Sequence, residues 1–286
     1  MEICYSNIGC NEAKLLLFSK NGYPIMDCKN CARRFAVIKD EKAHLSEVYS
    51  DDYFFAGKEG YPNYLEERNI LIHEGIHYAE LIGKYSKPGR MLDVGCAAGF
   101  ILQGFESMGW KGTGLDPNET MAKYGRNELN LDIQTGSLEN FNTENKFDLI
   151  SMIQVIGHLY DIDKAMENII NLTNHNGLVL VESWDMNSLV ARILGRRWHE
   201  YSPPSVINWF SNKSLTTLFN KHGFELIDTG FPAKRINLKH ALSLLEKDSP
   251  KAIYKMKLFN FLIKIAGKIV INYPPFDLKW YIFRKM

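Results

Sequence analysis

Arg90-Met91-Leu92-Asp93-Val94-Gly95-Cys96-Ala97-Ala98-Gly99-Phe100 passes, within eleven residues, from an apolar run through a glycine-bounded turn into a helical pattern. The order strand, turn, helix puts the turn at the carboxyl end of a strand, where open parallel sheets bind their ligands. Glycines let the backbone approach a ligand closely, and the amides at the start of the helix can hold a carboxylate. Asp93 narrows the choice: a carboxylate just before the turn repels a pyrophosphate but suits an ammonium. A dinucleotide turn reads G-x-G-x-x-G, whereas Ala97 stands at its second glycine and bulky Phe100 at its third. Twenty-three residues after Asp93, Gly112-Thr113-Gly114-Leu115-Asp116 ends a second strand with an acid able to accept from both hydroxyls of a ribose. Two acids at neighbouring strand ends favour an adenosyl ligand with an amino-acid tail, as in S-adenosylmethionine.

Outward from this turn, short apolar runs alternate with helical segments. Residues 91–94, 114–115, 133, 147–153 and 178–181 read as buried strands, and their alternation with helices predicts a parallel sheet covered on both faces. A helix to about residue 222, a strand at 225–229 and a last strand at 279–284 follow. The insertion at 236–272 is too long for a bare loop and is expected to form a helical cap. Residues 1–45 hold four of the five cysteines and read as a small cysteine-rich, zinc-ribbon-like unit. Residues 46–89 form an aromatic segment (Tyr49, Tyr53, Phe54, Phe55, Tyr61) and a lead-in helix, and residues 90–286 the main domain.

On these residues the chain resembles the class I methyltransferases that use S-adenosylmethionine, and more closely a bacterial branch with an amino-terminal cysteine cluster that acts on small molecules or cell-surface glycans. The resemblance rests on residues 93–99, Gly114-Leu115-Asp116, Gly136-Ser137-Leu138, Phe147-Asp148-Leu149-Ile150, His158 and the run from Ser188 through Arg197-Trp198-His199. It implies a Rossmann-like α/β sheet, mostly parallel with the last strand antiparallel. It also implies a cofactor site drawn from Asp93, Gly95, Cys96, Ala97, Gly99, Asp116 and Pro117. Ser137 and Leu138 would border the adenine, and Ile153 and Gln154 would pass beneath the methionine part. The chain departs from the family twice: Gly157 precedes His158 where a glutamate is usual, and Val206 follows Pro-Pro-Ser where a histidine is usual.

Methyl transfer by direct displacement needs alignment and a dry site more than a strong acid or metal. An oxygen acceptor is helped by a base, and His158, following the fourth strand, titrates in the useful range; the alternative is that it only caps a loop or bonds to backbone. His199 is the second catalytic candidate. It lies with Arg197, Trp198 and Tyr201 in a cationic and aromatic cluster that either orients an anionic or sugar-like acceptor or packs the cap onto the sheet.

Cys28-Lys29-Asn30-Cys31 has the spacing of a zinc-gripping pair, and Cys4 and Cys10, with five residues between them instead of two, complete a four-thiolate set; the alternative is a degenerate ribbon with free thiols. Thirty-four basic residues against thirty-three acidic ones give a net charge of +1, and no basic patch stands out, so no nucleic-acid partner is expected. The amino terminus lacks the pattern of a signal peptide and no stretch reaches the roughly 18 apolar residues of a spanning helix, which makes the cytosol the expected location. Lys257, Asn260, Lys264 and Lys268 lie opposite Leu258, Phe261, Leu262, Ile265 and Ile269. Such a helix either packs on its own domain or lies on an anionic membrane. The leading expectation is a methyltransferase for oxygen or nitrogen of a small metabolite, natural product or sugar-like acceptor. A cofactor-binding scaffold without catalysis and an NAD-dependent oxidoreductase compete with it.

Overall fold

A computed structural model describes residues 14–29, 31–38, 54, 64–232, 235–237, 270–272 and 277–286. The main sheet has seven strands in the order β10-β13-β8-β7-β4-β5-β6. Its parallel part comprises β4 (Arg90–Val94), β5 (Lys111–Asp116), β6 (Ile133–Thr135), β7 (Phe147–Ile153) and β8 (Thr173–Trp184). The late strand β13 (Leu278–Lys285) runs antiparallel between β8 and β10 (Phe224–Gly230). The expected Rossmann-like sheet with an antiparallel last strand is therefore the fold of this chain.

Alternate residues of these strands feed cores on opposite faces, which is why Leu178-Val179-Leu180-Val181 reads as a continuous apolar run. Val179 and Val181 of β8 join Leu92, Val94, Ile150 and Met152, packed with α4 (Ile162–Leu172) and α5 (Asn212–Lys221). Leu178 and Leu180 face the other way with Met91, Leu149 and Ile282, against α1 (Arg68–Ile82) and α2 (Phe100–Ser107). Capping fixes several helix starts: Asn118 accepts from Met121 N–H at the start of α3 (Glu119–Leu129), and Asp161 from Lys164 N–H at the start of α4. Such caps are worth about 1 kcal/mol each.

A second sheet pairs β1 (Lys14–Lys20), β2 (Tyr23–Cys28) and β3 (Arg34–Ala36) with β9 (Asn208–Trp209) of the main domain. The stretch read as a small unit of its own thus shares hydrogen bonds with the main domain, and it shares core as well. Cys28, Cys31 and Phe35 are buried in the same cluster as Leu159 and Ala165. Arg33, fully buried, donates from Nη1 to Asn208 Oδ1 at 2.9 Å, and its guanidinium stands 5.0 Å from the Phe35 ring centroid.

Of the insertion expected to be helical over 236–272, only the base is described, where a two-stranded ladder pairs β11 (Arg235–Asn237) with β12 (Val270–Asn272). The basic amphipathic stretch between them lies outside the described residues, as do Cys4 and Cys10. Among the described residues no helix is long and apolar enough to cross a membrane.

Candidate active site

β4 is the turning point of the sheet: β5 and β6 extend it to one side, β7 and β8 to the other, so a crevice opens above its carboxyl end. The chain leaves β4 through Gly95 at φ +68° and enters α2 through Gly99 at φ +82°. Both lie in the left-handed region, and a Cβ at Gly95 would strike Val155 while one at Gly99 would strike Leu131. The turn between them is pinned by Gly95 N–H to Leu115 O at 2.7 Å and Gly99 N–H to Cys96 O at 2.8 Å. Cys96 is buried and its Sγ packs where a Cβ on Gly114 would sit, so it fills space beneath the loop.

Asp116 binds the loop as well as closing β5. Its Oδ2 accepts from Ala97 N–H at 2.7 Å and its Oδ1 from Asn118 N–H at 2.8 Å. A carboxylate has about four acceptor sites, so each oxygen keeps capacity for a ribose hydroxyl. Burial pushes Asp116 up to about 6, against the pull of those two backbone donors. Asp93 is buried beneath the same loop, where Oδ1 accepts from Ser151 Oγ at 2.7 Å. Its Oδ2 has no hydrogen-bond partner among the described residues. Burial, reinforced by the nearby Asp116, pushes Asp93 up to about 7 although Ser151 opposes the shift. Two buried carboxylates close enough to repel each other make a site that favours a positively charged guest.

Ser137 precedes a short 3-10 turn, Leu138–Asn140, and Leu138 is buried while Ser137 is half-buried. Glu139 of this turn accepts from Tyr160 N–H at 3.0 Å, joining the turn after β6 to the loop after β7. Pro117, Ile153 and Gln154 are half-buried. Aromatic residues that sequence reasoning left unassigned cover the loop from outside: Tyr64 stacks on Phe100 at 5.3 Å, and Phe54 meets Tyr64 edge-on at 5.5 Å. The aromatic richness before α1 was the available signal for them.

His158 sits half-buried in the loop after β7, with Nδ1 2.7 Å from Ser205 O. Burial holds its pKa below the usual imidazole value, while backbone hydrogen bonding with Ser205 and Gln154 opposes the shift. The same loop is tied again by Ile207 and Asn208 N–H to Gly157 O at 2.8 and 2.9 Å. The two departures from the family pattern meet here: a Cβ on Gly157 would come within 3.2 Å of Val206 Cγ1.

His199 meets Trp184 edge-on at 5.0 Å and lies 3.4 Å from Glu200 through Nε2. Arg197 is exposed in the turn just before it. Trp198 and Tyr201, expected beside the acceptor, are instead spent on packing. Trp198 is fully buried and donates from Nε1 to Asp277 Oδ2 at 3.0 Å, and Tyr201 is buried against Trp198, Trp209 and Phe18 while bonding Arg34 of β3. Their cluster is the joint between the amino-terminal strands and the main domain. Cys28 and Cys31 are adjacent, Cys31 N–H pointing at Cys28 Sγ at 3.5 Å. Among the described residues no group of three or more potential ligands is placed to hold a metal ion.

Residues 64–229 match the methyltransferase-domain family. The chain belongs to that family. Two curated relatives of the methyltransferase domain are ubiquinone biosynthesis O-methyltransferases. That of Rhodopseudomonas palustris strain HaA2 is 28% identical over 149 residues, covering 49% of this chain and 59% of the relative. That of Pelagibacter ubique is 24% identical over 163 residues, covering 50% and 68%. The chain thus spans about half to two thirds of the length of these relatives. Among solved structures, a putative methyltransferase from Bacillus halodurans has a TM-score of 0.54 at 12% identity, covering 73% of this chain and 98% of its own. An S-adenosylmethionine-dependent methyltransferase from Thermotoga maritima, described as a possible histamine N-methyltransferase, has a TM-score of 0.52 at 17% identity, covering 85% and 99%. These likenesses concern the fold of the methyltransferase domain.

Proposed function

We propose that this protein transfers a methyl group from S-adenosylmethionine to oxygen or nitrogen of a small metabolite, natural product or sugar-like acceptor. The observation that carries this reading is the buried Asp93 carboxylate, one oxygen of which has no partner among the described residues, beneath a glycine-bounded loop whose amide is held by Asp116. When bound, the cofactor supplies a sulfonium-activated methyl group. The chain's contribution is to bind and align it. Asp93 offers an acceptor and a counter-charge to the ammonium, Asp116 offers acceptors to the ribose, and the loop amides meet the carboxylate. Phe54, Tyr64 and Phe100 keep water from the outer side of the loop.

On the acceptor side, His158 takes the proton of an attacking hydroxyl or amine, since an imidazole with a lowered pKa is neutral at physiological pH. His199 and Arg197 border the acceptor on the far side of β8. The O-methyltransferase names of the curated relatives support oxygen as the methylated atom. A structural zinc on Cys4, Cys10, Cys28 and Cys31 completes the proposal. The closeness of the buried Cys28 and Cys31, with Cys31 N–H 3.5 Å from Cys28 Sγ, supports it.

Thermal shift and calorimetry with S-adenosylhomocysteine, set beside NAD, test the cofactor. We expect the first to raise the melting temperature and the second to leave it unchanged. Radiolabelled methyl transfer across hydroxyl- and amine-bearing acceptors tests the reaction. Binding with no labelled product from any acceptor would favour the scaffold reading instead.

A further inference from the structure

Glu182 is 1% exposed in the middle of the sheet, its backbone paired with Ile153 of β7 and Trp280 of β13. It continues the alternation by which Leu178 and Leu180 face α1, and there it meets the Tyr78 hydroxyl, which donates to Oε2. The other oxygen, Oε1, accepts from Gln154 Nε2 at 2.7 Å. The Gln154 backbone N–H also donates to the Glu182 carbonyl, at 2.9 Å. Both side-chain donors are neutral, so the carboxylate is buried without a cation from either, an arrangement that costs stability unless its hydrogen bonds are satisfied. An apolar residue at 182 would extend the core without that cost. Gln154 itself has φ +60°, a region that side-chain-bearing residues rarely occupy. Glu182 therefore holds one strained residue, at the end of β7, by two separate bonds.

The chemistry of this pair fixes a direction. An amide has a donor end and an acceptor end of nearly equal shape, and an ionised carboxylate only accepts. Facing Glu182, the amide of Gln154 must present its NH2 and turn its carbonyl oxygen away. We infer that Glu182, held by Tyr78, is a positioning residue that sets the amide polarity of Gln154, so that residue 154 offers an oxygen to the ammonium of the cofactor's methionine part. The inference rests on the adenosylmethionine reading above and adds to it a residue that no motif marks. Through Tyr78 it also registers α1 against the site.

S-adenosylhomocysteine carries the ammonium and needs no acceptor, so its dissociation constant on the full chain reads this contact directly; the same ligand without its amino group is the control. Glu182→Met removes both acceptor oxygens. We expect it to weaken S-adenosylhomocysteine about tenfold, equivalent to about 1.4 kcal/mol, and the deaminated ligand less than about twofold. Glu182→Gln keeps an oxygen for Gln154 and can give its NH2 to the Tyr78 oxygen, and is expected to stay within about threefold of the parent. Equal weakening of both ligands by Glu182→Met, or of neither, overturns the inference. Should circular dichroism show Glu182→Met unfolded, Gln154→Met takes its place with the same selective loss expected and the same outcomes fatal. Failure of the parent chain to bind S-adenosylhomocysteine would sink the cofactor reading itself. A parent that binds, with no dependence on residue 182 or 154, sinks this inference alone.

Discussion

Asp93 concentrates the physical chemistry of the site in one side chain. Its folded pKa of about 7 lies above the ordinary value of 3.8, and Asp116 at about 6 is displaced in the same direction. A carboxyl whose pKa is raised by folding stabilises the ligand-free protein while protonated, and that contribution is lost as pH rises through the folded value. Ligand-free protein is therefore expected to lose melting temperature from about pH 4 to about pH 7 and to level off above that, relative to Asp93→Asn at each pH. Binding runs the other way, because an ammonium needs the ionised form: affinity for S-adenosylhomocysteine should rise across the same interval. Asp93→Asn should bind about tenfold or more weakly at pH 8 and lose most of that rise; calorimetric titration at four pH values checks both. His158→Ala should lose turnover and keep the affinity for S-adenosylhomocysteine, measured in the same way. Turnover at the parent level would return His158 to its role as a tie between the loop and Ser205.

At the scale of elements, α1 and α2 cross through two glycines. A Cβ on Gly75 would strike the Ile101 carbonyl oxygen, and one on Gly104 would strike that of Ile72, so the backbones touch with no room for a methyl group. Gly104→Ala is expected to destabilise by about 1–3 kcal/mol, the usual cost of overpacking, which urea unfolding would register as a lower midpoint. The strands were legible for a physical reason. Residues 178–181 are apolar without a break, and 147–153 are interrupted only by Asp148 and Ser151, because both faces of β7 and β8 are covered; the structure has β7 at Phe147–Ile153 and β8 at Thr173–Trp184. β1 and β2 escaped the reading because their burial does not alternate: Leu15 and Leu16 are exposed beside half-buried Leu17 and Phe18, and β2 buries Ile25 and Cys28 with two half-buried residues between them. β9 is only two residues long and is recruited by β3, a pairing that no local pattern encodes. Asp93 and Asp116 could be found because strand ends announce themselves. Glu182 could not, since an acid following Leu178-Val179-Leu180-Val181 reads merely as the end of an apolar run. Trp198 and Tyr201 misled for the opposite reason: aromatic and cationic residues in one turn signal a binding surface and a packed joint alike.

For the whole molecule, the shared core has a measurable consequence. Phe35 lies in the amino-terminal strands yet is buried with residues of β7, α4 and β13. Phe35→Ala should cost about 3–5 kcal/mol and shift a single unfolding transition followed by tryptophan fluorescence and circular dichroism together. If the amino-terminal strands were independent, the main transition would stay in place. Metal analysis of freshly purified protein is expected to return about one zinc per chain, and a metal-free preparation with the same melting temperature would count against the zinc. β13 follows β8 in sequence only after β10 and the insertion, yet lies between β8 and β10, so during vectorial synthesis β8 waits with one edge unpaired until the insertion and β13 have emerged. An open edge of that length invites pairing with other nascent chains. A protein of this topology has cause to depend on chaperones early in its life, and the hazard passes when β13 slots into place.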